Sequence, residues 1–124
     1  MSRPSRPAGK KIDPRELYWA AGFLEGDGCF ALATNKYKQG RRSYQTPIVN
    51  ASQKQKWPLV VLQLLFGGGL HEYTPGRANL GYGPYWQWSV GGARAAGLMM
   101  TVYKFMSPER KDKIKSALAH WRNS

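Results

Sequence analysis

The stretch Trp19-Ala20-Ala21-Gly22-Phe23-Leu24-Glu25-Gly26-Asp27-Gly28-Cys29-Phe30 places a carboxylate where a helix should end. A helix C-terminus carries negative partial charge, so an anion there is disfavoured by roughly 0.3 to 1 kcal/mol. A divalent cation would balance both the Asp27 carboxylate and the free terminal carbonyls, and hard oxygen donors of this kind suit Mg²⁺. Taken alone, a Gly-Asp-Gly turn also reads as a structural cap. The same helix is weakened at Gly22 and Gly26, which with Ala21 make a small-xxx-small pattern. That spacing lets a second helix backbone approach closely, and close packing against the chain's own core would use it equally. Two copies crossing at the glycines would bring two Asp27 carboxylates together, a repulsive pair unless metal ions lie between them and a phosphate.

The elements around this stretch follow from local signals. Asp13 as N-cap, Pro14 at the first helical position and Glu16 at the third open a helix that should run to about Gly26, with Gly28 as a left-handed stop. Cys29 to about Lys38 and Ser43 to Gln53 are rich in aromatic, Thr and β-branched residues and flank Gln39-Gly40-Arg41-Arg42, a long hairpin. Trp57 to Phe66 is almost continuously apolar, starts at Pro58 and stops at Gly67-Gly68-Gly69, which predicts a buried helix. Leu70 to Thr74 and Tyr85 to Val90 form a second hairpin, with Tyr85, Gln87 and Ser89 alternating against Trp86, Trp88 and Val90. A helix from about Ala93 to Met106 follows, and Ser107-Pro108-Glu109 caps a last one whose Ile114, Ala117, Leu118 and Trp121 share a face. The predicted fold is α+β with element order αββαββαα: residues 1–12 a flexible basic arm, residues 13–124 a single domain.

Nineteen Lys and Arg against seven Asp and Glu give a formal charge of +12, which calls for a polyanionic partner. No run of about 18 apolar residues exists, so no membrane partner is expected. The single cysteine, Cys29, excludes an internal disulfide and a cysteine-built zinc site. No apolar stretch follows the N-terminal bases, and an intracellular protein is the expectation.

Between Gly28 and His71, about a third of the chain, there is no acidic residue, while Lys36, Lys38, Arg41, Arg42, Lys54 and Lys56 fall on or beside the first hairpin. A curved antiparallel sheet with such a face can enter the major groove of DNA. Asn35, Tyr37, Tyr44, Asn50 and Gln53 add hydrogen-bonding groups, and Thr74, Arg77, Tyr85 and Gln87 extend the candidate surface onto the second hairpin.

Ala20-Ala21-Gly22-Phe23-Leu24-Glu25-Gly26-Asp27-Gly28 resembles the LAGLIDADG motif of homing endonucleases, with Cys29-Phe30 opening the strand that follows it. Ser52-Gln53-Lys54, the apolar helix and Phe66-Gly67-Gly68-Gly69 resemble the family's strand-helix-glycine segment. Phe105-Met106-Ser107-Pro108-Glu109-Arg110 resembles the start of its last helix. The likeness covers roughly Pro14 to Trp121. Ala20 stands where the motif has Leu, and Glu25 where it has Asp.

The resemblance implies a four-stranded antiparallel saddle on double-stranded DNA and, from one motif copy, a homodimer paired through Ala21, Gly22 and Gly26. It implies that Asp27 ligates a metal with the Gly26 carbonyl nearby, that Gln53 positions the attacking water, and that Lys56 and Arg110 stabilise phosphate charge, with Lys54 and Lys111 as substitutes. Glu25 does not join the ligands, since positions two apart on a helix point to different sides. The implied reaction is site-specific phosphodiester hydrolysis of both strands with Mg²⁺ or Mn²⁺, Ca²⁺ supporting binding without cleavage, and no organic cofactor. His71 and His120 then need no catalytic role. The same scaffold also serves non-cleaving nucleic-acid binders, such as RNA maturases and DNA-binding regulators, and this is the competing expectation. A small basic RNA-packaging or ribosomal protein would explain the charge but not Gly22, Gly26 and Asp27.

Overall fold

The Asp13 carboxylate accepts a hydrogen bond from the Arg15 amide at 2.8 Å, and Pro14, with no N–H to satisfy, takes the first position of helix α1, Pro14–Asp27. The computed structural model describes residues 12–36, 43–74 and 84–123. After α1 come β1 (Gly28–Lys36), β2 (Ser43–Gln53), α2 (Trp57–Phe66), β3 (Gly69–Tyr73), β4 (Tyr85–Gly91), α3 (Ala93–Val102) and α4 (Pro108–Asn123), the order expected from the sequence.

Gly28 ends α1, but not by a left-handed turn: its φ of −83° and ψ of 159° are extended values open to any residue. Space explains the glycine instead. A Cβ there would stand 2.7 Å from the Leu24 carbonyl oxygen and 2.8 Å from Leu24 Cδ2. The chain therefore passes straight from helix into strand, with the Gly28 N–H donating to the Leu24 carbonyl.

The four strands form one antiparallel sheet in the order β1-β2-β4-β3. Register and strand alternation divide its side chains between two faces. Gly28, Phe30 and Leu32 lie opposite Ala51, Val49 and Pro47, and Val49 and Ala51 lie opposite Val90 and Trp88. This face is closed by the helices, and Leu24, Leu59, Leu62, Met99, Val102 and Ile114 are buried with it. Trp88 sits at the centre, its indole N–H donating to the Gly67 carbonyl at 2.8 Å. Gly67 and Gly68 turn the chain from α2 into β3 with φ of 77° and 98°, values that favour glycine.

The other face collects a different set. Cys29, Asn50, Ser89 and Gly69 form one row across all four strands, Ser52, Gln87 and His71 a second, and Tyr85 and Tyr73 a third. In these rows the face is largely polar and carries no Lys, Arg, Asp or Glu.

One boundary differs from expectation. α3 stops at Val102, and Tyr103–Phe105 continue as a single 3₁₀ turn before Met106 becomes extended. Pro108 disfavours helical geometry at Ser107 and so breaks the run into two helices. α4 then buries Ile114 and Ala117 as predicted, with Leu118 partly buried beside them. Among the described residues no helix is long and apolar enough to cross a membrane.

Candidate active site

Helical periodicity sorts the motif residues by face. Ala20, Ala21 and Leu24 point into the core, while Tyr18, Gly22 and Gly26 lie on the exposed face and Asp27 is exposed at the tip. Ala21 thus departs from the expected interface set: at 3% exposure its methyl group belongs to the chain's own core. The glycines do the opposite. A Cβ built on Gly22 or on Gly26 meets no atom within 4 Å. Packing within one chain therefore gives no reason for either glycine, although a mid-helix glycine costs about 1 kcal/mol relative to alanine.

Glu25, between these faces, is turned toward α4. Its Oε1 accepts the Ser107 backbone N–H at 2.8 Å, and its Oε2 lies 3.5 Å from Arg110 Nε. The Ser107 N–H, with the Arg110 guanidinium beside it, holds the Glu25 carboxyl below the usual carboxylate value against a smaller opposing effect of burial. Arg110 also donates from its guanidinium to the Gly28 carbonyl. In the free chain the guanidinium is therefore engaged at the α1 end, beside the tip that carries Asp27. Its neighbour Lys111 places Nζ 5.4 Å from the Tyr103 ring centroid.

The remaining catalytic candidates lie at the C-terminal end of β2, just beyond Ala51, which pairs with Gly28 at the α1 tip. Gln53 is half-buried and has the parity of Val49 and Ala51, opposite Trp86, so it is on the helix-covered side. Lys56 Nζ stands 4.5 Å from the Trp86 ring centroid, and Lys54 is exposed in the turn between. Trp86 neighbours both Gln53 and Lys56: it pairs with Gln53 across the strands and carries Lys56 over its ring.

Of the expected DNA-binding residues, Asn50, Gln87 and Tyr85 share the open face, and Thr74 is exposed just after β3. Tyr85 stacks on Tyr73 with centroids 5.6 Å apart. Tyr37, Lys38, Arg41, Arg42 and Arg77 lie outside the described residues, as do Met1 to Lys11 and the side chains of Asn35, Lys36 and Tyr44. Sequence reasoning missed Cys29, Ser52 and His71 as members of the open face. The signal was available: pairing β3 with β4 puts His71 beside Gln87 by alternation alone.

The donor set at the α1 tip fits a hard divalent cation incompletely but in kind. Asp27 offers an exposed carboxylate beside a helix end whose carbonyls lack helical partners. Among the described residues no group of three His, Cys, Asp or Glu side chains is placed to hold an ion. The described residues of one chain would thus supply at most part of a coordination shell.

No protein-family model and no curated protein matches the sequence. Solved structures do match its fold. The homing endonuclease I-CvuI, crystallised with the I-CreI target in 2 mM Mg with the DNA not cleaved, aligns with a TM-score of 0.62 at 16% identity, covering 84% of this chain and 64% of its own. The group I intron-encoded homing endonuclease I-CeuI, complexed with DNA, aligns with a TM-score of 0.61 at 17% identity over 93% of this chain and 56% of its own. I-SmaMI, a LAGLIDADG homing endonuclease bound to cleaved DNA, aligns with a TM-score of 0.54 at 20% identity over 91% of this chain and 39% of its own. The chain thus spans between 39% and 64% of the length of these three proteins. Helix, glycine-limited turn and strand fall in the motif's order, and the four helices and four-stranded antiparallel sheet superpose on these structures: the chain has the fold of the LAGLIDADG homing endonucleases.

Proposed function

We propose that this chain is a site-specific, Mg²⁺-dependent DNA endonuclease that acts as a homodimer paired through the exposed face of α1. The observation that carries the reading is the bare stripe of Gly22 and Gly26, which ends at an exposed Asp27 and has no packing role within the chain. Two such helices in contact bring two Asp27 carboxylates to one place, beneath a continuous saddle made of two sheets.

The open faces bind the duplex. β2, with eleven residues, is about 37 Å long, close to the roughly 34 Å of one DNA turn. One protomer then follows about ten base pairs and the pair about twenty. Asn50, Ser52, Gln87 and His71 present donors and acceptors to base edges, while Lys36, Lys38, Arg41, Arg42, Lys54 and Arg77 neutralise phosphates. The basic arm of residues 1–12 adds a further phosphate contact.

Asp27, with the Gly26 carbonyl, would hold the ion, which when bound supplies an acidified water and an electrophilic centre for the scissile phosphate. Gln53 orients the water by hydrogen bonding, and Lys56 supplies positive charge at the phosphate. A randomised DNA library incubated with the protein, first in Ca²⁺ and then in Mg²⁺, tests the reading. Capture of one site in Ca²⁺ and its double-strand cleavage in Mg²⁺ supports it. Capture with no cleavage in Mg²⁺ replaces it with the non-cleaving binder.

A further inference from the structure

We propose that Glu25, Ser107 and Arg110 form a clamp between the last turn of α1 and the first turn of α4, and that this clamp fixes the direction in which Asp27 presents its carboxylate. The positioning role rests on the function proposed above; the clamp itself does not.

Each helix end lacks something that the other supplies. The last turn of α1 contains no basic residue to oppose its negative end. Arg110, from α4, donates to the Gly28 carbonyl just beyond that end and lies beside the Glu25 carboxylate. At the start of α4, Ser107 precedes Pro108 as the capping residue, and the Lys111 N–H donates to its carbonyl at 2.8 Å. In a capping box the N–H of this residue is accepted by a Glu or Gln three positions on. That position is Arg110, which cannot accept, and the acceptor comes instead from Glu25, 82 positions away. A capping box is in effect divided between two helices, with the cation at one C-terminus and the anion at the other N-terminus.

The geometry brackets Asp27. One attachment is to residue 25 and the other to residue 28, so the tip cannot rock without breaking both. The ion pair alone would hold it weakly, because the Glu25 and Arg110 side chains keep 38% and 23% of their exposure and water screens them. The two hydrogen bonds to backbone groups give the clamp its direction. Arg110 is thus a positioning residue.

The test compares Arg110→Met, Arg110→Lys and Glu25→Gln with the parent chain by two readouts. The first is amide hydrogen exchange in metal-free protein. In Arg110→Met, exchange at Gly28 and Cys29 should accelerate at least tenfold while Leu62 and Val102, in the core, stay unchanged. Arg110→Lys, which keeps charge but not the forked donors, and Glu25→Gln, which keeps an acceptor but not charge, should fall between. If Arg110→Met does not fold, these two carry the same readouts. The second readout is single-turnover cleavage of the selected site at saturating DNA, with affinity measured separately in Ca²⁺. Cleavage should fall about tenfold to a hundredfold, as for other supports of a metal ligand, with affinity within about twofold. Unchanged exchange at Gly28 and Cys29 overturns the clamp. Weakened affinity with an unchanged saturated rate overturns the positioning role and makes Arg110 a phosphate contact. A parent chain that binds but never cuts defeats the endonuclease reading alone, and exchange still decides the clamp.

Discussion

Replacing both bare glycines, Gly22→Ala with Gly26→Ala, should strengthen one equilibrium and weaken another. Neither new methyl group meets an atom within 4 Å in the protomer, so no packing penalty opposes the change. Alanine is favoured over glycine by about 1 kcal/mol in a helix interior. Gly26 is one residue from the helix end and gains less, giving about 1.5 kcal/mol for the pair. For a domain of this size that raises the melting temperature of the dilute protomer by about 5 °C. The proposed dimer should respond oppositely, because the methyl groups would stand between two backbones meant to meet at bare glycine. The assay is guanidinium unfolding across a wide protein concentration range, since association makes apparent stability depend on concentration. The variant should be more stable than the parent when dilute and should lose the concentration dependence, with sedimentation velocity showing a monomer. Stabilisation with association intact would remove the glycines from the interface. Destabilisation in dilute solution would contradict the exposed placement of this face.

Other expectations follow from the same geometry. Asp27→Asn should keep affinity for the selected DNA in Ca²⁺ within about threefold and abolish cleavage in Mg²⁺; retained cleavage would contradict its role as metal ligand. Gln87→Ala or His71→Ala should relax preference at one base pair by about 1–3 kcal/mol in a competition assay while leaving the salt dependence of binding unchanged, and a uniform loss on all sequences would place that side chain on phosphate instead. Glu25 has a lowered carboxyl pKa in the folded chain, so its stabilising contribution is complete above its ordinary value of 4.5 and is lost as pH falls through the lower folded value. Acid unfolding of Glu25→Gln should accordingly be less steep below pH 4.5 than that of the parent, and identical acid limbs would show that the carboxylate gains nothing from Ser107 and Arg110.

The parts of this account that the sequence made legible are those fixed by local chemistry. Asp13-Pro14 announced the start of α1 because capping is decided within one turn, and Pro58 with the three glycines bounded α2 for the same reason. Alternation in Tyr85–Val90 correctly separated the buried Trp88 and Val90 from Gln87 and Ser89. Tertiary placement was not legible. Gly28 read as a left-handed stop, since nothing local reveals that Leu24 occupies the space a Cβ would need. Ala21 read as part of the exposed small-residue patch, because a short apolar side chain gives no sign of which face it joins. The contacts of Arg110 with Glu25 and the Gly28 carbonyl were not foreseen, since both partners are 82 or more positions away and silent in any window of sequence. A hint existed: Ser107 caps α4 with no acid at the third helical position, so its N–H had to find an acceptor elsewhere.

The claim on which the functional account depends is the pairing of two α1 helices through Gly22 and Gly26. Because Cys29 is the one native cysteine, Gly22→Cys in a Cys29→Ser background introduces a single thiol at the proposed crossing. A disulfide requires Cα atoms within about 7 Å of each other. Under mild oxidation this variant should form a covalent dimer rapidly at low protein concentration, far faster than Ser116→Cys in the same background, which places its thiol on the exposed side of α4. Equal and slow crosslinking of the two variants would show that the bare face of α1 does not meet its copy.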